Sequence, residues 1–146
     1  MRLCNNGAWV EVTVDDYFPC FEHGGPIFSK ANGNELWVLL LEKAYAKLHG
    51  NYYNLRDGYV YEGMKDLTGC PTECLDFDND SVKVSLEDGS LFKKLQTYDN
   101  LGYLISASTP GTDDMTEVAD NARKGKGGLV PGHAYSVIHI KEHKGI

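Results

Sequence analysis

The residues best suited to chemistry in this sequence are one imidazole and four thiols. His133 sits in Gly132-His133-Ala134-Tyr135-Ser136-Val137, after the glycine-rich approach Lys124-Gly125-Lys126-Gly127-Gly128 and a turn at Pro131-Gly132. An imidazole at a strand edge beside pliant backbone is placed to act as a general base, because its ordinary pKa lies near neutrality. The thiols are Cys4, Cys20, Cys70 and Cys74. A thiol attacks as the thiolate, which needs a neighbouring imidazole to hold it and a third group to orient the ring. None of the four opens a helix after a glycine-rich turn, where the helix N-terminus would lower its pKa. Each reads instead as a small hydrophobic side chain of the interior. On pattern alone, His133 is most simply a hydrogen-bonded strand histidine without chemistry.

Metal chemistry finds little support. Cys70 and Cys74 have a Cys-x3-Cys spacing around Pro71, but no second pair follows at ligand spacing. A closed four-ligand zinc site is therefore not expected. Asp76, Asp78 and Asp80 alternate like part of a calcium loop, yet the glycine and terminal glutamate of such a loop are missing at the required offsets. Asp113-Asp114 reads as solvated surface.

The chain has 146 residues, 42% hydrophobic and 24% charged, which suits one soluble globular domain with a real core. Its longest apolar run, residues 36–41, is far short of the roughly 20 residues that span a bilayer. No basic segment followed by an apolar one opens the chain, so a signal peptide is not expected. Reduced thiols and a cytoplasmic location are the corresponding expectations. The net charge is −7, from 14 basic and 21 acidic residues, and only Arg123, Lys124 and Lys126 cluster. A nucleic-acid partner is not expected from such a distribution.

The elements that must position His133 follow from periodicity. Met1-Arg2-Leu3-Cys4 reads like the middle of a strand. Residues 8–14 alternate, with Val10, Val12 and Val14 on one face. Residues 21–34 form a loop with a hairpin around Gly24-Gly25. Residues 35–49 place Leu36, Trp37, Leu40, Leu41, Ala44, Tyr45 and Leu48 at helical spacing, with Asn32 or Asn34 available as a cap and Gly50 as a stop. Shorter helices are predicted over 59–68, stopped by Gly69, and over 90–98, with Leu91, Phe92 and Leu95 inward. Strands are predicted at 73–77, 102–106 and 134–141, separated by the polar stretch 108–129, a length that is unusual without function or motion. The fold class is α+β: an antiparallel sheet or barrel with two or three flanking helices.

Taken together, several blocks resemble the calpains, papain-like cysteine proteases of the cytosol. Gly132-His133-Ala134-Tyr135-Ser136-Val137 is similar to their catalytic-histidine motif. Residues 7–16, Gly-Ala-Trp-Val-Glu-Val-Thr-Val-Asp-Asp, resemble a strand segment after their first catalytic subdomain. Asn34-Glu35-Leu36-Trp37 with residues 41–50 resembles their most recognisable helix, and Asp66-Leu67-Thr68-Gly69 the turn ending the next one. The blocks keep family order across residues 7–140.

The resemblance implies that residues 1–146 are the second subdomain of a calpain catalytic domain, the second half of a papain-like fold. It implies that His133 is the catalytic base, and that Gly58 and Gly132 bring backbone against an extended peptide substrate. For both glycines a plain turn, at Asp57-Gly58 and Pro131-Gly132, is the alternative. It implies that Glu35 is a calcium ligand shared with the first subdomain, although a glutamate in a helix's first turn is favourable in its own right. The family's Gly-Asp-Cys-Trp and Asn-Pro-Trp-Gly motifs, sources of the nucleophile and the orienting asparagine, do not occur here. The expectation is therefore one half of the substrate cleft of a calcium-dependent endopeptidase, partnered by the first subdomain of the same protein and inactive alone. This half is expected to bind no calcium tightly by itself. The competing expectation is a non-catalytic calpain-like interaction or regulatory module, which an intact His133 disfavours.

Overall fold

The computed structural model describes residues 1–31, 33–56, 58–111 and 129–143. The chain divides into two compact units, Met1–Thr72 and Glu73–Ile146. It is α+β throughout, with small antiparallel strand pairs and helices, and no barrel closes among the described residues.

The first unit opens with β1 (Arg2–Asn5) and β2 (Ala8–Glu11), paired antiparallel from Arg2↔Glu11 to Asn5↔Ala8. Asn6 and Gly7 both have positive φ, 50° and 82°, the geometry of a two-residue hairpin turn. Reciprocal bonds between Met1 and Val12 carry the ladder one pair further, so the run predicted over 8–14 keeps its buried face beyond the end of β2. Val12 is buried and Val14 packs on the core, whereas Val10 is exposed.

The long helix is α1 (Trp37–Leu48). Its inner face buries Leu39, Ala44 and Ala46, and the core gathers Leu3, Val12 and Ala44 with Val14, Leu41, Tyr45 and Leu48. Two sequence expectations fail at its start. Leu36 takes the N-cap place with no side-chain cap bond, so Asn34 does not cap; Asn32 lies outside the described residues. Leu36 and Trp37, expected inward, are exposed, because the helix enters the core only from its first turn onward. Basic side chains pin the chain after β2 to α1. Lys47 Nζ donates to Thr13 O at 2.7 Å, and Lys43 Nζ to the Asp15 carboxylate and Tyr17 O. The expected hairpin around Gly24-Gly25 does form, closed by Phe21 N–H to Gly25 O at 3.0 Å and the Cys20↔Pro26 bridge.

After a 3-10 turn at Tyr52–Leu55 comes α2 (Val60–Thr68), close to expectation. Gly69 stops it at φ 69°, and a Cβ there would lie 2.8 Å from the Trp9 ring. That site requires glycine twice over, for conformation and for room.

In the second unit the strand expected over 73–77 is absent. Glu73 instead receives the Tyr98 hydroxyl at 2.9 Å and the Lys94 ammonium, so side chains hold this segment where no neighbouring strand exists. The acidic run that follows is a capped helix start: Asp76 Oδ1 accepts Asp78 N–H at 2.9 Å, and Asn79 Oδ1 accepts Ser81 N–H at 3.0 Å. It opens α3 (Asp80–Glu87), a helix the sequence reading missed. Next is α4 (Ser90–Asn100), two residues longer than predicted, with Leu91 buried, Leu95 half-buried and Phe92 exposed rather than inward. It ends in a Schellman motif: Tyr103 N–H reaches Tyr98 O, Gly102 N–H reaches Asp99 O, and the Tyr98 and Tyr103 rings stack at 5.1 Å. The second strand pair is β3 (Ile105–Ser108) with β4 (Ala134–Val137). The stretch 112–128, including Asp113-Asp114 and the Arg123–Lys126 cluster, lies outside the described residues.

Candidate active site

The position of His133 follows from strand register. In the antiparallel pair, Ile105 faces Val137 and Ser108 faces Ala134, so the next positions to meet are Thr109 and His133. Thr109 N–H donates to His133 O at 2.9 Å, as a ladder pair should. The reciprocal bond differs: His133 N–H donates not to the Thr109 carbonyl but to the Thr109 hydroxyl, at 2.9 Å. Pro110 follows Thr109 and Gly132 precedes His133 at φ 63°, so the backbones part here and the hydroxyl stands in for the carbonyl. Gly132 N–H to Pro110 O, at 3.1 Å, closes the turn behind them.

Thr109 Oγ1 donates in its turn to Val130 O at 2.6 Å, and Val130 N–H donates to the Tyr135 hydroxyl at 2.8 Å. The Tyr135 ring meets the His133 ring edge-on, centroids 4.8 Å apart and planes at 79°. His133 is thus half-buried, held on its backbone side by the ladder and on its ring side by an aromatic edge.

Beyond Val137 the predicted strand stops short, because β3 begins at Ile105 and offers Ile138 no partner. The chain is caught on α4 instead. Asp99 accepts Ile140 N–H at 2.9 Å and pairs with the His139 ring. These two bonds, the Ile140 amide first, hold the Asp99 carboxyl below its usual range. From the same helix, Lys94 and then Tyr98 do the same for Glu73.

Gly132 and His133 belong to the second unit, Gly58 and Glu35 to the first. Gly58 is exposed, its φ lies outside the left-handed region, and a Cβ built on it meets no heavy atom within 4 Å. The alternative turn at Asp57-Gly58 falls in part on Asp57, outside the described residues, whereas Gly132 does sit in a turn with positive φ. Glu35 is exposed and precedes α1; its carboxylate accepts the Trp37 indole N–H at 3.2 Å. It is not in the helix's first turn, which contains no acidic residue, so the dipole explanation for it fails. Among the described residues no three His, Cys, Asp or Glu side chains gather as a metal site. Glu35 offers calcium one carboxylate, at most two oxygens, where six to eight oxygen ligands are needed.

All four cysteines are free. Only Cys4 is a buried hydrophobe as expected; Cys20, in the bridge to Pro26, and Cys70 and Cys74, in the irregular segment after α2, are exposed. Thr109 and Val130 were not singled out by sequence reading. Their partners lie more than 20 residues away or across a turn, and only the register of β3 on β4 reveals them. No helix among the described residues is long and apolar enough to cross a membrane.

Residues 1–145 match the profile of calpain family cysteine proteases. The chain is 40% identical over 146 residues to a calpain-type cysteine protease of Oryza sativa subsp. japonica, covering 99% of this chain and 6% of that protein. It is 37% identical to calpain-8 of Mus musculus and 38% identical to the calpain-2 catalytic subunit of Gallus gallus. Both matches cover 93% of this chain and 18% of the relative. The chain therefore spans only a small part of the length of these relatives.

Proposed function

This chain belongs to the calpain family of cysteine proteases, and on that premise we propose that its 146 residues are the second subdomain of a calpain-type catalytic domain. His133 is its general base. The observation that supports this most directly is the mounting of that residue, whose backbone is tied to Thr109 on both polar atoms while its ring stands beside Tyr135. A base must be held within hydrogen-bond reach of the proton it takes, and this mount fixes it at the end of a strand.

In the proposed reaction His133 accepts the proton of a cysteine thiol supplied from outside this chain, and the thiolate attacks the carbonyl carbon of a peptide bond. The resulting imidazolium gives its proton to the departing amine, leaving a thioester. His133 then takes a proton from the water that attacks the thioester and returns it to the sulfur as the acid product leaves. Gly58 and Gly132 present bare backbone to the substrate peptide, and for Gly58 the open space around its Cα supports that role. Calcium regulates the full-length protein through Glu35 only together with oxygen ligands from outside this chain, and no step above runs through it. A cytoplasmic location agrees with four free thiols.

The test is peptidase activity of the full-length protein with calcium present, with and without His133→Ala. Activity that disappears in the variant supports the reading. Activity that survives removes His133 from the mechanism, and an inactive full-length protein favours a non-catalytic module. This chain by itself is expected to cleave nothing.

A further inference from the structure

We propose that Thr109 is a positioning residue for the general base, its hydroxyl setting where the His133 ring stands. The proposal rests on the reading of His133 as that base. Four contacts close a circuit. The His133 amide donates to Thr109 Oγ1, Thr109 Oγ1 donates to Val130 O, the Val130 amide donates to the Tyr135 hydroxyl, and the Tyr135 ring abuts the His133 ring. Thr109 Oγ1 is the one atom in that circuit that both accepts from the histidine's own backbone and anchors the stretch fixing its aromatic neighbour. A hydroxyl suits the task because it donates and accepts at once, whereas a backbone carbonyl in its place could only accept. Thr109 also occupies the ladder position facing His133, so its backbone adds Thr109 N–H to His133 O at 2.9 Å. Without the hydroxyl, the His133 amide and the Val130 carbonyl lose these bonds, which loosens the backbone that carries the His133 ring.

The effect should fall on turnover rather than on substrate capture, since Thr109 acts through His133. Misplacing a catalytic group by about 1 Å costs on the order of 10²-fold in rate.

The test compares Thr109→Val, which keeps the branched shape but not the hydroxyl, with Thr109→Ser, which keeps the hydroxyl. In the full-length protein, Val is expected to lower kcat by about 10- to 100-fold with KM within about twofold, and Ser to restore most of the rate. The pH dependence of thiol alkylation should shift in Val and not in Ser, which a purely structural role would not produce. Loss of activity in His133→Ala alongside unchanged kcat in Thr109→Val overturns this proposal while leaving the base intact. Activity that survives His133→Ala overturns the base reading itself. Amide exchange, read without any turnover, supplies the second arm. The His133 N–H should be protected in wild type and Ser and exposed in Val, and equal protection in all three also overturns the proposal.

Discussion

The two units of this chain are held together by different forces. Met1–Thr72 has a small apolar interior in which Leu3, Cys4, Val12, Leu39, Ala44 and Ala46 are buried, with Leu3 only 1% exposed. In Glu73–Ile146 Leu91 is the one buried hydrophobic among the described residues, while Leu104 and Ile138 are 70% and 91% exposed. The second unit relies instead on directed polar contacts: the Asn79 cap, the Schellman turn after α4, Asp99 on Ile140, and the Thr109 pair with His133. Burial is non-directional and fixes volume, whereas hydrogen bonds fix position. The candidate base sits in the unit built from directed contacts.

The largest effects expected break that comparison most directly. His133→Ala in the full-length protein should reduce peptide cleavage on the order of 10⁶-fold and leave the urea midpoint of the unfolding transition nearly unchanged. Leu3→Ala should do the reverse to stability, costing about 3 kcal/mol by opening a cavity in the first unit's core. Urea unfolding of both variants measures the contrast. A Leu3→Ala cost under about 1 kcal/mol would mean that the core is not what holds the first unit together.

How much of this was legible depended on how local the signal was. α1, α2 and α4 announce themselves because apolar residues at helical spacing bury one stripe, whatever the chain does elsewhere. Gly69 was readable as a stop, but its contact with Trp9 was not, since those residues are 60 positions apart and meet only once α2 packs on the first hairpin. The Asn6-Gly7 turn was a strong hairpin signal that went unused. α3 was missed because Val82 and Val84 favour strands and the acidic residues before it resemble a loop; the deciding feature was Asn79 as N-cap. The strand predicted over 73–77 failed for the converse reason, since strand propensity has no effect without a neighbour to pair with. At the site, His133 and Gly132 stood out in sequence, while Thr109 required the register that sets it opposite His133, 24 positions on.

Two glycines of the first unit sharpen the distinction between scaffold and site on a smaller scale. Gly69→Ala places a side chain at φ 69° and drives its Cβ into the Trp9 ring. The conformation alone costs about 1–2 kcal/mol. Gly58→Ala meets open space at an ordinary φ, so stability should move by no more than about 0.5 kcal/mol. If Gly58 faces substrate, KM in the full-length protein rises all the same. Thermal unfolding of both variants beside peptide kinetics of Gly58→Ala separates the two roles, and an unchanged KM would return Gly58 to an ordinary surface position.

The smallest effect is the response of the two units to pH. Carboxylates lie below their usual range in both, Asp15 in the first and Glu73, Asp88 and Asp99 in the second. Whatever these groups add is present above the ordinary carboxylate range and lost as pH falls through their lowered values, so acid weakens both units. Base acts on both: the bond to Glu73 raises Lys94 in the second unit, and in the first burial raises Tyr52 and, more strongly, Tyr45. Tyr45 donates to Asp66 Oδ2 at 3.0 Å, beside His49 Nε2 on the same oxygen, and burial followed by that bond pushes its hydroxyl from 10.0 up to about 12. Between those values the folded chain keeps a proton that the unfolded chain has released. The contribution of Tyr45 is therefore complete below pH 10 and disappears as pH rises toward 12. Tyr45→Phe should lower stability below pH 10 by roughly the net 1 kcal/mol of one hydrogen bond, and the gap to wild type should narrow through that window. Urea unfolding on both sides of pH 10 reads it out. A gap that stays constant through the window would mean that the Tyr45 proton is not what couples α1 to α2.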